Sequence, residues 1–347
     1  SSNVRLLKVV PQCGPWLPFR PPCRIDMGAM RRQGVIKKSK RASTLGRAAS
    51  CKLAGNPALE PLRKRLRRPV EQGWWPGLAA SVYVDGRPQL LEEAGYADLE
   101  TKAPMTKDSL VRLYSMTKCI VAAAVMQVVE AGLLGLDDLL SDHLPAFAGM
   151  RVIAEGADRM PDWGRLRPAA RPIRIRHLLT HTSGISSGLA PGLDGPRRRS
   201  ARERAWSEIY GPLVRRVDRG DVRDLAEWVG EVAKLPLVDH PGNSYGYGYS
   251  YDILGHIVEL KTGKELTKYI QERIFKPLGM HSSFFSLGGD GPAAAQRARR
   301  LSVLYRYTKS ARFGSDGRKP RLVRVDPPRR AARSRWAERC KLPSGGG

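Results

Sequence analysis

The spacing of hydrophobic and polar positions changes along the chain. Residues 59–73 place apolar side chains among basic ones and predict a surface helix. Two β-rich runs, 78–84 and 88–94, flank Asp85-Gly86 and predict an antiparallel hairpin. Helical patterns follow at residues 118–131, 174–180, 224–234, 251–260 and 265–275. A hairpin followed by a run of helices predicts an α+β architecture rather than alternating βαβ units.

The charge of the chain is concentrated at its two ends. The formal net charge is +27, yet residues 71–290 hold 27 Lys and Arg against 28 acidic residues. Residues 1–70 hold 17 basic against 2 acidic residues, and residues 291–347 hold 16 against 3. A nucleic-acid-binding domain carries its basic residues on the folded part, so we predict no nucleic-acid binding through the folded domain. No run approaches the ~20 apolar residues of a membrane span, so no transmembrane segment is predicted.

The N-terminal tail, residues 1–58, is predicted to be basic and either disordered or transit-like. Residues 27–59 contain no acidic residue and are rich in Arg, Lys, Ser and Ala, a composition that leaves both alternatives open. The five cysteines are scattered, which predicts neither a disulfide framework nor a zinc site. Cys119 lies in an apolar helical run and is expected to be a buried free thiol. A reducing, intracellular compartment is favoured, and an organelle if the tail is a transit peptide.

Ser115 and Lys118 are the first pair of residues in the chain that could serve as a nucleophile and its base. Positions i and i+3 lie on one face of a helix, so both side chains point the same way if a helix begins at Ser115. The positive end of the helix dipole would favour an oxyanion there. Because the residues after Lys118 are apolar for two turns, the helix is expected to be buried. This S-x-x-K pattern is also common on solvated helices, so its weight depends on the surrounding motifs.

Four segments carry motifs in a fixed order. They are Tyr114–Lys118, residues 177–184 (HLLTHTSG), Pro241-Gly242 with Tyr247-Gly248-Tyr249, and residues 274–280 (IFKPLGM). Together they resemble the nucleophile motif, helix-then-turn signature, second catalytic element and later marker of the class C branch of the serine β-lactamase and penicillin-binding-protein superfamily. That branch includes family VIII carboxylesterases and related acyltransferases. The resemblance implies a β-lactamase/transpeptidase-like fold, an antiparallel sheet with a large helical domain.

The resemblance also implies a role for three residues. Ser115 would attack the carbonyl and become acylated, and its backbone N–H would supply half the oxyanion hole. Lys118 would accept the proton of Ser115. Tyr247 would share the proton relay and protonate the leaving group. Tyr247 is preferred over its neighbouring tyrosines for its spacing to Leu254-Gly255, while Tyr249 stands where the family often has Asn, which fits the esterase-like members.

Two further motifs and a histidine pair are interpreted as structural. Residues 184–188 spell G-x-S-x-G but lack the preceding strand of a nucleophile elbow. Lys261-Thr262-Gly263 spells K-T-G, yet it follows a helix directly, where Gly263 is expected to end that helix. His177 and His181 stand at i and i+4 without a third ligand, so they are expected to be hydrogen-bonding scaffold residues. No metal and no cofactor are predicted.

The expected organisation has three parts. A β-lactamase-related domain spans 59–290, with a hairpin at 77–96 and a helical region at 106–290, between the tail 1–58 and a basic, irregular linker at 291–347. Within it, residues 184–219 predict a long mobile loop. The chain stops at residues 341–347, which resemble the Gly-rich turn where the family's C-terminal portion begins. The final strands, with the third motif, are therefore expected to be absent.

Three hypotheses for function follow. The leading one is a serine hydrolase or acyltransferase that acts on small-molecule esters or amides through an acyl-enzyme on Ser115, an ester being favoured over a β-lactam. The second is an inactive truncated remnant that serves as a binding scaffold. The third, suggested by charge alone, is a basic-tailed binder of nucleic acid or membrane surfaces. The oligomeric state leaves no signal in the sequence.

Overall fold

The computed structural model describes residues 4–5, 57–155, 161–186, 210–213, 216, 221–288, 291–307 and 322–324. Most of the predicted tail 1–58, of the predicted loop 184–219 and of the stretch 310–340 lies outside these described residues. The chain divides into two compact units. Unit 1 comprises residues 1–107 and 307–322, and unit 2 comprises residues 108–306 and 323–347.

Unit 1 pairs one helix with a three-stranded antiparallel sheet. Its elements are β1 (Val4–Arg5), α1 (Glu60–Glu71), β2 (Gly77–Val84) and β3 (Arg87–Gly95), with the strands in the order β1-β2-β3. Asp85 and Gly86 join β2 to β3 with φ of 49° and 73°, the positive values that a two-residue type I′ hairpin turn requires. The predicted hairpin and surface helix are thus confirmed, and β1 is a pairing inside the tail that the sequence did not predict.

A buried carboxylate fixes α1 to the sheet of unit 1. The side chain of Glu92 on β3 is 1% exposed and accepts a hydrogen bond of 2.5 Å from Nε of Arg67. Arg63, one turn earlier on α1, places its Nε 3.4 Å from the other carboxylate oxygen. A carboxylate so fully removed from water needs these cationic partners, because an unpaired buried charge is costly.

Unit 2 is mainly helical and contains the principal hydrophobic core. Its helices are α2 (Thr117–Glu130), α3 (Leu140–His143), α4 (Ile175–Leu179), α5 (Leu225–Ala233), α6 (Ser250–Thr262), α7 (Leu266–Ile270, continued by a π turn over Gln271–Phe275) and α8 (Pro292–Arg300). Strands β4 (Arg151–Glu155) and β5 (Pro161–Pro168) form an antiparallel pair. Two short strands follow in the chain, β6 (Tyr305–Tyr307) and β7 (Leu322–Arg324), of which Tyr307 and Leu322 are assigned to unit 1. The five predicted helices agree with α2, α4, α5, α6 and α7 to within two residues, whereas β4, β5 and α8 were not predicted.

Helix α6 lies at the centre of unit 2, where it packs against α2, α4, α5 and α7. Its buried side chains include Ile253, Leu254, Ile257 and Val258, all 0% exposed. Gly263 ends the helix with φ of 64°, a left-handed conformation that glycine adopts without steric cost. The K-T-G sequence is therefore the end of a helix, as the sequence analysis expected. Among the described helices, none combines the length and apolar character of a membrane span.

Helix α2 is apolar on all sides but buried on one side only. Its buried side chains are Val121, Ala124, Val125 and Val128. Cys119, Ala123 and Met126 lie on the opposite face and are exposed. The expectation of a buried helix therefore holds for one face only, and the expectation of a buried thiol at Cys119 was wrong. Apolar composition does not identify which face of a helix meets the core.

Candidate active site

Ser115 lies in a short 3-10 turn that precedes α2. The turn covers Tyr114–Met116, and the α-helix itself begins at Thr117, so Ser115 precedes the α-helix. Tyr114 has φ of 45°, a left-handed conformation that costs a bulky side chain on the order of 1 kcal/mol or more and is concentrated at functional sites. This turn leaves Ser115 exposed at the N-terminal end of α2.

Tyr247 lies in a loop, residues 239–249, that leads into the N-terminus of α6. The backbone of this tyrosine loop is tied to the segment after α4 by two hydrogen bonds. The N–H of Gly242 donates to the carbonyl of Thr182 at 2.7 Å, and the N–H of Gly246 donates to the carbonyl of His181 at 2.8 Å. The position of Tyr247 is therefore set by the turn that ends α4 as well as by α6.

Glycines allow the tyrosine loop to approach that turn closely. A Cβ atom at Gly248 would lie 2.0 Å from the carbonyl oxygen of Ile185, and one at Gly184 would lie 2.2 Å from that of Asp239. Gly184 also has φ of 81°. Because both opposing atoms belong to the backbone, no side-chain rotation could make room for a larger residue at either position.

Tyr247 contacts both of the other residues predicted for catalysis. The hydroxyl of Tyr247 lies 2.6 Å from Oγ of Ser115, and either oxygen can be the donor. Nζ of Lys118 lies 4.9 Å from the centre of the Tyr247 ring, within the range of a cation–π contact. Ser115 and Tyr247 are 132 residues apart in sequence, and the packing of α2 against α6 brings them together.

The other tyrosines near Tyr247 have different surroundings. Tyr249, in the position where Asn is frequent, is 8% exposed and packs edge-on against Trp228 with the ring centres 4.8 Å apart. Tyr251 donates its hydroxyl to the carbonyl of Leu179 at 3.0 Å. Tyr245 is 69% exposed. Among these neighbouring tyrosines, Tyr247 is the one whose hydroxyl meets Ser115.

His181 is a part of the site that the sequence analysis treated as scaffold. Its side chain is 7% exposed, and its ring stacks on that of Tyr247 with centres 4.9 Å apart and planes at 30°. Burial, and to a smaller extent the charge of Lys118, lowers the pKa of the His181 imidazole to about 4. The imidazole is therefore neutral at pH 7. The HTSG sequence placed this residue at a turn but did not indicate its contact with Tyr247.

His177 is structural, as expected. Its Nδ1 accepts a hydrogen bond of 3.1 Å from the backbone N–H of Arg174, which caps the start of α4. Burial and the neighbouring arginines lower the pKa of His177. Across the described ranges, no three His, Cys, Asp or Glu side chains cluster in a way that could hold a metal ion.

The G-x-S-x-G sequence does not form a nucleophile elbow in its described part. Gly184 follows the turn after helix α4 rather than a strand, and an elbow needs a strand before it. Ser186, the serine of the motif, is 6% exposed. The remainder of the motif, residues 187–188, lies outside the described residues.

The arrangement of side chains fits nucleophilic chemistry at Ser115. An exposed serine hydroxyl hydrogen-bonds to a phenol, and a primary amine lies over the ring of that phenol. Such a set can remove the proton of the serine and return it to a leaving group. The N-terminal end of α2 adds a positive dipole where negative charge would develop on a substrate carbonyl oxygen.

Comparison with known proteins identifies a matching family model and several relatives. The family model described as Beta-lactamase matches residues 62–341. Esterase EstB of Burkholderia gladioli is 33% identical over 212 residues, which cover 60% of this chain and 47% of EstB. Protein Rv1367c of Mycobacterium tuberculosis is 31% identical over 263 residues, 76% of this chain and 59% of that protein.

Solved structures extend the similarity to the fold. The structure titled "EstCE1, a hydrolase with promiscuous acyltransferase activity" superposes with a TM-score of 0.54 at 25% identity. The match covers 78% of this chain and 61% of EstCE1. The chain thus has a β-lactamase/transpeptidase-like fold with helices and antiparallel strands, and it spans less than two thirds of the length of these relatives.

Proposed function

Since the chain belongs to the β-lactamase family, we propose that it is a serine hydrolase or acyltransferase that forms an acyl-enzyme on Ser115. The observation that carries this proposal is the 2.6 Å contact between Oγ of Ser115 and the hydroxyl of Tyr247, with the amine of Lys118 over the ring. The substrate we propose is a small-molecule ester or amide, and the name of esterase EstB favours an ester over an amide or a β-lactam.

Acylation begins when Oγ of Ser115 attacks the carbonyl carbon of the substrate. The proton of Ser115 passes to the unprotonated form of the Lys118 amine, and the hydroxyl of Tyr247 serves as the relay that contacts Oγ. The bond from Oγ to the carbonyl carbon forms, and the tetrahedral intermediate collapses by breaking the bond to the leaving alkoxide or amine. Tyr247 donates a proton to that leaving group and recovers one from Lys118, so that the relay is reset.

The same groups serve the second half of the reaction. Water or an acceptor alcohol occupies the place of the leaving group and loses its proton to Tyr247 and Lys118 while its oxygen attacks the acyl carbon. The bond to Oγ of Ser115 then breaks, and the serine regains its proton. Water gives hydrolysis and an alcohol gives acyl transfer, so a single site accounts for both activities named among the relatives.

Labelling of Ser115 by an activated ester tests the proposal. The full 347-residue chain is incubated with p-nitrophenyl butyrate, and intact mass with peptide mapping locates the acyl adduct. We expect one butyryl group on Ser115, none on that peptide in Ser115→Ala, and at least about 100-fold slower labelling in Tyr247→Phe. Ser186→Ala is the matched control, because Ser186 is the serine of the G-x-S-x-G sequence and is expected to leave labelling intact.

The outcomes separate the leading hypothesis from its alternative. An adduct that persists in Ser115→Ala would remove Ser115 as nucleophile. No adduct in a chain whose circular dichroism shows native helix would instead support the non-catalytic scaffold.

A further inference from the structure

The imidazole of His181 is surrounded by three tyrosine rings. It stacks on Tyr247 at 4.9 Å, meets Tyr251 at 5.1 Å with planes at 42°, and meets Tyr245 edge-on at 5.9 Å and 72°. Stacked and edge-on ring contacts of this geometry are favourable beyond the area they bury. The ring of Tyr247 is therefore held at its face by a side chain that cannot rotate away without losing the other two contacts.

The backbone of His181 also contacts the tyrosine loop. Its carbonyl accepts the N–H of Gly246, the residue directly before Tyr247, at 2.8 Å. His181 itself has φ of 55°, a conformation that is unusual for a residue with a side chain. That conformation lets one residue direct its carbonyl at the tyrosine loop and its ring at Tyr247.

The hydroxyl contact to Ser115 cannot by itself hold Tyr247 in place. During acylation Oγ of Ser115 bonds to the substrate carbon, so the hydrogen bond that joins it to Tyr247 must break and re-form. A phenol that relays protons needs a support that does not change during the reaction, since a misplacement of about 1 Å can cost about 100-fold in rate. The stacked ring of His181 is such a support.

The imidazole is suited to this task because it is neutral. Its Nδ1 is buried and has no hydrogen-bond partner among the described residues. The groups that face it are the phenols of Tyr245, Tyr247 and Tyr251 and the charge of Lys118. A charged imidazolium there would compete with Lys118 for the π-face of Tyr247 and repel the amine.

We propose that His181 is a positioning residue that holds the phenol of Tyr247 at Oγ of Ser115 through ring stacking and through the backbone bond to Gly246. The catalytic role of Tyr247 in this inference rests on the proposed function, whereas the contact between His181 and Tyr247 rests on geometry alone. His181 transfers no proton and touches no substrate in this scheme.

Two replacements of His181 separate ring stacking from other effects. His181→Phe keeps an aromatic ring and removes both nitrogens, whereas His181→Leu removes the ring. Both carry the same backbone cost of a side chain at positive φ, so that cost cancels between them. We expect butyryl labelling of Ser115 to slow about 10- to 100-fold in His181→Leu and less than about threefold in His181→Phe.

A double-mutant cycle identifies the route of the effect. If His181 acts by positioning the Tyr247 hydroxyl, His181→Leu has no further effect in a Tyr247→Phe background, because the hydroxyl is already gone. An equal loss in both backgrounds would overturn the proposal, as would an unchanged rate in His181→Leu. His177→Leu is the control, since it makes the same chemical change four residues earlier and is expected to keep the rate.

A spectroscopic readout tests the contact independently of catalysis. The chain is prepared with ¹³C-labelled tyrosine rings, and the Tyr247 resonance is assigned by its absence in Tyr247→Phe. We expect this resonance to shift in His181→Leu and to stay in place in His177→Leu, because ring stacking displaces the signals of the stacked protons. An unmoved Tyr247 signal in His181→Leu overturns the contact. A missing adduct on Ser115 in the unmutated chain, beside a shifted signal, would instead count against the proposed function alone.

Discussion

Gly246 and Gly248 flank Tyr247, and replacing each by alanine gives a matched pair of perturbations. A Cβ atom at Gly246 would have no heavy atom within 4 Å, whereas one at Gly248 would lie 2.0 Å from the carbonyl oxygen of Ile185. Neither glycine has a positive φ, so the backbone at both positions suits alanine. The two variants therefore differ in the space available to the added methyl group, on one side or the other of Tyr247.

The crowding at Gly248 must be relieved by movement of the backbone. Real Cβ atoms essentially never approach another atom within 3.0 Å, so a separation of 2.0 Å must grow by at least 1.0 Å. Overpacking of this kind costs about 1–3 kcal/mol of stability. Because Gly248 is bonded to Tyr247, the same movement displaces the phenol from Ser115 and is expected to cost about 100-fold in rate.

The assay compares acylation and stability in the two variants. The rate of butyryl transfer from p-nitrophenyl butyrate to Ser115 is followed by intact mass, and the free energy of unfolding is measured in urea. We expect Gly248→Ala to acylate about 100-fold more slowly and to unfold at lower urea, while Gly246→Ala stays within about twofold of the unmutated chain in both. Equal acylation rates in the two variants would refute the inference that close backbone packing at Gly248 positions Tyr247.

Two further predictions concern charge. The His181 imidazole has a folded pKa of about 4 against an ordinary 6.5, so its contribution to stability is complete above pH 6.5 and is lost as the pH falls to 4. The loss is about 3 kcal/mol, and urea unfolding from pH 7 to 4 should show a smaller decline in His181→Phe. In unit 1, Glu92→Ala removes the buried carboxylate that pairs with Arg63 and Arg67 and should destabilise this unit by about 2 kcal/mol in thermal unfolding, the scale of a lost hydrogen bond to a charged group. Glu71 occupies an exposed position on α1, the helix that carries Arg63 and Arg67, so Glu71→Ala should have little effect on stability. Comparable losses of stability in the two variants would contradict the role assigned to Glu92.

Helices α2, α4, α5, α6 and α7 could be predicted because their signals are local. Each has apolar residues at helical spacing and an identifiable end, such as the Asp224 side chain that accepts the Glu227 N–H at the start of α5 and the left-handed Gly263 after α6. The pair β4 and β5 carried no such signal. Its register shifts between Ile153 and Ala154, and β5 contains Gly164 between prolines at both of its ends, so alternation of polar and apolar residues is lost.

The residues of the candidate site could be nominated from the sequence, but their arrangement could not. The resemblance to a known family nominated Ser115, Lys118 and Tyr247, and the structure supplies the distances from Tyr247 to the other two. The contact of His181 with Tyr247 depends on a positive φ and on the packing of α4 against α6, neither of which is encoded within a few residues. The exposure of the Cys119 thiol could not be predicted either, because only the tertiary structure decides which face of α2 meets the core.

The separation of 132 positions between Ser115 and Tyr247 also has a consequence for folding kinetics. Loop closure over such a separation is unfavourable, so we expect this contact to form after the intervening helices have assembled. The contact between Ser115 and Tyr247 is consequently expected among the last features that a refolding chain acquires. The reactivity of Ser115 then reports on the completion of folding in unit 2, including residues that no substrate touches.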